Sequence, residues 1–196
     1  MDENKIYKCI NTERLNIVEP DGTLKLCLFN SQNIPPALMD GEDLLPGHRQ
    51  DWAASGIIFF NTEGDECGGL VCRSAKNESG GYSSDLSMTF DRYKNDEVVS
   101  IAVHERDGAR RYGFSVYDKP EGHIKDLVTL LQKMRALPEG EEKSRLMEKI
   151  REGNATRMFM GKKTDESVGI WLHDKAGNVR IQLYVDSDGE AFVEKI

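Results

Sequence analysis

At 196 residues and 22.1 kDa the chain is long enough to bury a core without disulfides or metals, and its 38% apolar and 31% charged residues are those of a globular protein. A net charge of −8, with no run of Lys or Arg to offset it, repels phosphate backbones and excludes nucleic acid as an expected partner. No stretch approaches the roughly 18 apolar residues of a membrane helix, so no membrane partner is expected either.

In chain order, Met1-Asp2-Glu3-Asn4-Lys5 lacks the apolar segment of a signal peptide, and a cytoplasmic protein is expected. The four cysteines, at 9, 27, 67 and 72, have neither C-x-x-C spacing nor the density of a disulfide scaffold, which predicts free thiols and no zinc. The first patterned unit lies about Gly22. Leu15, Ile17 and Glu19 precede the turn Pro20-Asp21-Gly22, and Lys25, Leu26 and Leu28 follow it, two period-2 strands around a glycine that adopts positive φ at little cost. Residues 30–56 carry Pro35-Pro36, Gly41, Pro46 and Gly47 with no periodic apolar run and read as a long surface excursion. A second hairpin follows about Gly64, with Ile57, Phe59 and Asn61 before the turn and Cys67 and Leu70 after it.

The next two units follow one template. Residues 86–118 and 155–187 match at an offset of 69, pairing Phe90 with Phe159, Asp96 with Asp165, Glu97 with Glu166, Val99 with Val168, Ile101 with Ile170, His104 with His173, Gly108 with Gly177 and Arg111 with Arg180. In each, a further strand precedes the hairpin, Leu86–Phe90 or Arg157–Met160, which predicts a three-stranded antiparallel meander. Ala191-Phe192-Val193 is predicted to pair back onto residues 181–185. Residues 121–152 interrupt the series: Ile124, Leu127, Val128, Leu131 and Met134 have helical spacing, as do Leu146, Met147 and Ile150 after Pro138, read as a first-turn proline. A helical hairpin is expected there, with exposed pairs such as Glu141 with Arg145.

These units predict one mainly β domain, an antiparallel meander of four hairpins with an α-helical insertion. Spacings of 42 and 44 between the first three turn glycines suit a small propeller, and a closed or half-open barrel competes with it. The incoming strands, such as Ile57-Ile58-Phe59-Phe60 and Ile101-Ala102-Val103-His104, are apolar on both faces and are expected in the interior of the sheet.

No G-x-S-x-G, P-loop, H-E-x-x-H or dinucleotide fingerprint is present. His104 and His173 are the best candidates for chemistry, because they occupy equivalent places beside Glu105 and Asp174 and titrate near neutrality. The other two units hold Val18 and Phe60 at that position, which favours a structural role. Asp186-Ser187-Asp188-Gly189-Glu190 resembles the start of a calcium loop, but a bidentate Glu at loop position 12 is missing and a bare turn is expected. Cys67 and Cys72 have opposite strand parity, which disfavours a disulfide between them. Gly68-Gly69 marks a close backbone approach, by a neighbouring strand or by a ligand.

The segments Glu13-Arg14-Leu15-Asn16-Ile17-Val18-Glu19-Pro20-Asp21-Gly22-Thr23 and Phe59-Phe60-Asn61-Thr62-Glu63-Gly64-Asp65-Glu66-Cys67-Gly68-Gly69-Leu70 resemble a family of uncharacterised bacterial proteins rich in glycine-turn hairpins. The resemblance covers about the first 120 residues and implies a bacterial cytoplasmic protein; it carries over no active-site residue. The expected function is binding or scaffolding rather than catalysis, without a cofactor or metal, the helical insertion serving as a docking element for a protein partner or a second copy. The alternative is a small-molecule-binding or hydrolytic protein with a pocket roofed by residues 30–56 and 121–152. His104, His173, Asp118, Asp186, Gly68 and Gly69 would then contact the ligand.

Overall fold

The computed structural model describes residues 6–49, 52–78 and 80–196; the opening Met1–Lys5 lies outside them. Nine strands come first: β1 Arg14–Val18, β2 Leu24–Phe29, β3 Leu38–Met39, β4 Glu42–Asp43, β5 Ser55–Phe60, β6 Glu66–Lys76, β7 Tyr82–Asp91, β8 Glu97–Arg106 and β9 Ala109–Asp118. Helices α1, Ile124–Ala136, and α2, Glu141–Arg151, precede the last four strands, β10 Ala155–Lys162, β11 Val168–His173, β12 Val179–Val185 and β13 Ala191–Lys195. Eleven strands form one antiparallel sheet in the order β1-β2-β5-β6-β7-β8-β9-β10-β11-β12-β13, and β3 pairs with β4 in a small hairpin of its own.

The mainly β meander with a helical insertion is therefore the fold, but it is neither a propeller nor a closed barrel. Every connection returns the chain to the next position of the same sheet, and both excursions, between β2 and β5 and between β9 and β10, rejoin it beside the strand they left. Among the described residues no second blade is built, and the edges β1 and β13 pair only inward. The predicted return of the last strand is present, with Leu183 opposite Val193. Of the incoming strands, β5, β8 and β11 are interior, whereas β1 is an edge with Ile17 and Val18 exposed.

The turns repeat one chemistry. A side-chain oxygen of the first turn residue accepts backbone N–H groups two and four residues on, as Asn61 does from Glu63 and Asp65, and Asp186 from Asp188 and Glu190. A glycine in the left-handed region closes each of these turns, Gly64 and Gly189.

The 69-residue template holds for the hairpins and fails for the strand before them. Met88 faces Ile101 and Met160 faces Ile170, so that strand repeats at an offset of 72, three more than the hairpins. The β7–β8 hairpin is one residue pair longer than β10–β11 and carries a one-residue bulge opposite Phe90 and Asp91, which together make the three residues. An odd displacement reverses side-chain parity. Phe90, opposite Val99, is exposed on one face, while Phe159, opposite Trp171, is buried on the other.

That buried face carries the packed core. Cys27, Phe29, Ile58 and Phe60 are buried there under Ile34 and Leu38 of the first excursion. Lys94 binds three carboxylates, Asp40 at 2.5 Å, Glu63 at 2.7 Å and Asp65 at 2.5 Å, joining the β3–β4, β5–β6 and β7–β8 turns. The helical insertion is attached to the same region: Lys125 pairs with Glu42 at 2.8 Å and His123 with Asp40 at 3.0 Å. Asn95, itself buried, donates to the carbonyls of Pro120 and Gly122. Glu141 pairs with Arg145 at 3.4 Å as expected, but Pro138 lies in the linker, because Gly140 takes the N-cap and α2 starts one residue later.

Candidate functional site

Two surfaces of the sheet stand out, one on each face. On the first, strand register aligns Leu15, Leu28, Ile57, Leu70, Met88, Ile101, Phe114, Met160, Ile170, Leu183 and Val193 into one row that crosses all eleven strands without a polar residue. A parallel row runs from Ile17 through Leu26, Phe59, Phe90, Val99, Val116, Met158 and Leu172 to Ile181, broken only by Gly68. A shorter third row includes Leu86, Val103, Tyr112, Val168 and Val185, broken by Lys162 between Tyr112 and Val168. Much of this surface is open to solvent: Ile101 is 52% exposed at its centre and Val193 80% at its edge. An aliphatic residue at every second position would ordinarily mark a strand face pressed on a second layer.

The opposite face carries aromatic rings. Phe159, Trp171, Tyr184 and Phe192 stack in sequence across β10 to β13, with centroids 5.7, 6.0 and 4.9 Å apart. Beside them Gly113, Gly161 and Gly169 lie opposite one another on β9, β10 and β11, a row without side chains. Two cations lean across that row. The guanidinium of Arg111, from β9, sits 3.9 Å from the ring centre of Phe159, and the ammonium of Lys163, just past β10, sits 3.6 Å from that of Trp171.

With His173, Asn154 and the Ala176-Gly177 turn, these groups line a cleft of about 300 Å³. Arg157 stands beside it, donating to the carbonyl of His173 at 3.1 Å and to Asp118 at 2.6 Å. Nδ1 of His173 is buried without a hydrogen-bond partner, and burial holds this imidazole below its ordinary pKa. Burial also lowers the pKa of Lys163, and the nearby Arg111 charge adds to that.

The structure thus brings His173 and Asp118 to one place, on either side of Arg157. His104 lies opposite Arg111 on the neighbouring strand but outside the cleft lining, and is paired through Nδ1 with Asp85 at 2.9 Å, a carboxylate that Arg73 also holds at 3.2 Å. Asp186 sits in the β12–β13 turn with its Oδ1 occupied by backbone N–H groups. What approaches Gly68 and Gly69 is backbone: a Cβ on Gly68 would lie 2.3 Å from the carbonyl oxygen of Thr89, and one on Gly69 2.7 Å from that of Ile57. A separate cleft of about 440 Å³ lies at the helical insertion, lined by His123, Leu127 and Lys149 among others, and contains none of the six expected residues. The sequence reading missed Arg111 and Lys163 as site residues. Arg111 was visible as part of the template, but its aromatic platform was hidden by the reversed parity of β10.

Comparison with protein-family models, with curated proteins and with solved structures found no match for this chain.

Proposed function

We propose that the chain is a scaffolding module that works as a pair of identical copies, sealed aliphatic face to aliphatic face, with the insertion-bearing faces turned outward. The unbroken row from Leu15 to Val193 carries this reading. Ten strand spacings of about 4.8 Å and three rows about 7 Å apart make an apolar strip of roughly 1,000 Å² per copy. The largest apolar patch on an ordinary monomer is about 300–600 Å². Two such strips bury roughly 2,000 Å² together, the size of a stable homodimer interface. Two twisted sheets of the same hand pack face to face at about −30°. The net charge of −8 disfavours an anionic lipid surface as the occupant.

This contact falls on the sheet rather than on the helical insertion, whose two helices pack on each other, with Val128 buried. Ile101 is the sixth of the eleven residues in the row. A two-fold axis through the middle of the interface sets it against its own counterpart. In a background with the exposed Cys9 and Cys72 changed to serine, Ile101→Cys is expected to form a covalent dimer on mild oxidation, well ahead of Asp188→Cys in the solvated β12–β13 turn. Equal rates for the two variants would overturn the reading.

A further inference from the structure

The cleft beside Phe159 and Trp171 points to a second activity, independent of self-association because it opens on the other face of the sheet. We propose that it binds a small multivalent oxyanion, a phosphorylated or polycarboxylate molecule, through Arg111, Lys163 and His173.

Among the described residues the two cations of the cleft are left without ion-pair partners. Lys94 has three carboxylate partners, Lys119 has Asp96 and Glu97, Arg49 has Glu66, and Arg157 has Asp118. In a chain with 34 acidic residues against 26 basic ones, partners are plentiful. Arg111 and Lys163 nevertheless make no ion pair or side-chain hydrogen bond among the described residues, and each rests on an aromatic ring with its donors unspent. The nearest acids are engaged elsewhere: Asp165 accepts from the backbone N–H and hydroxyl of Ser167, and Asp174 from the N–H groups of Ala176 and Asn178.

The histidine repeats the pattern. His104 and His173 are equivalent in the hairpin template, yet His104 has the carboxylate of Asp85 as its partner while Nδ1 of His173 has none. The chain satisfies one copy internally and, among the described residues, leaves the other without a partner, its residue in the lining of a cleft of about 300 Å³. That volume is at the lower end for small-molecule sites, about 300–1,000 Å³. A guanidinium fork beside an ammonium matches an oxyanion with several acceptor oxygens. The glycine row lets the strands that carry these groups approach closely: a Cβ on Gly161 would lie 2.1 Å from the carbonyl oxygen of Tyr112.

The full-length protein should be titrated at constant ionic strength with inorganic phosphate, pyrophosphate and citrate, read by calorimetry and by Trp171 fluorescence in a Trp52→Phe background. Saturable binding of at least one probe is expected, and the order of the three distinguishes phosphate from polycarboxylate ligands. Lys163→Gln should weaken binding about tenfold or more, as loss of a charged hydrogen bond does. Lys76→Gln, at the end of β6, should leave it unchanged. Ala176→Glu, which adds an acid at the rim without touching a cation, should abolish it and decides the matter should Lys163→Gln fail to fold. Absence of saturable binding by all three probes, or undiminished binding in folded Lys163→Gln or Ala176→Glu, would overturn the proposal.

Discussion

Glu166 holds a φ of 68° in the turn before β11, in the place where Gly64, Gly177 and Gly189 serve the equivalent turns. A left-handed non-glycine residue costs about 1–2 kcal/mol, and glycine's extra freedom in the unfolded chain costs about 0.5–1 kcal/mol. Glu166→Gly is therefore expected to stabilise the protein by about 0.5–1 kcal/mol in urea melts, the exposed Glu166–Lys162 ion pair contributing little to the balance. At this scale the sequence was partly legible. Turn glycines, Asx residues and the Glu141–Arg145 pair declare themselves by local chemistry that needs no partner from afar. Arg111 and Lys163 did not, because what defines them is an aromatic ring on the adjacent strand and the engagement of the nearby acids by other groups. Neither fact is encoded within a few residues.

At the scale of elements, acids from three neighbouring strands meet at one end of the sheet: Glu66 on β6, Asp91 on β7, and Asp96 and Glu97 at β8, with Lys119 after β9. Burial, reinforced by the charges of Glu66, Asp96 and Glu97, pushes the carboxyl of Asp91 up to about 7; Glu97 is raised as well, chiefly by burial. An acid whose pKa is higher folded than unfolded binds more protons in the native state between the two values. Its contribution to stability is full at low pH and is lost as pH rises toward about 7. Wild type and Asp91→Asn should therefore differ more at about pH 8 than at about pH 5, the variant being the more stable at the higher pH. Equal spacing of their urea midpoints at the two values would refute this. The hairpins of these elements could be read from period-2 patterning, and the helical hairpin from period 3.6. The placement of β10 could not, because a bulge and an extra residue pair in the β7–β8 hairpin shift the offset from 69 to 72 and no spacing rule marks a bulge in advance.

For the whole molecule, the sequence predicted an antiparallel meander but left a propeller and a closed or half-open barrel as alternatives, and the structure shows one open sheet. Blade-like spacing between glycines arises equally from a meander whose excursions rejoin beside their origin, and topology alone separates the two. Strands that looked apolar on both faces have different neighbours on each: insertion and aromatic stacks on one, solvent on the other. The second, aliphatic face is the central claim of this account. An interface of roughly 2,000 Å² implies a dimer that persists at micromolar concentration. Static light scattering during size-exclusion chromatography of the intact chain tests it most directly: the account predicts a mass of twice 22.1 kDa, falling to the monomer value in Ile101→Lys. A wild-type mass of 22.1 kDa at tens of micromolar would contradict it.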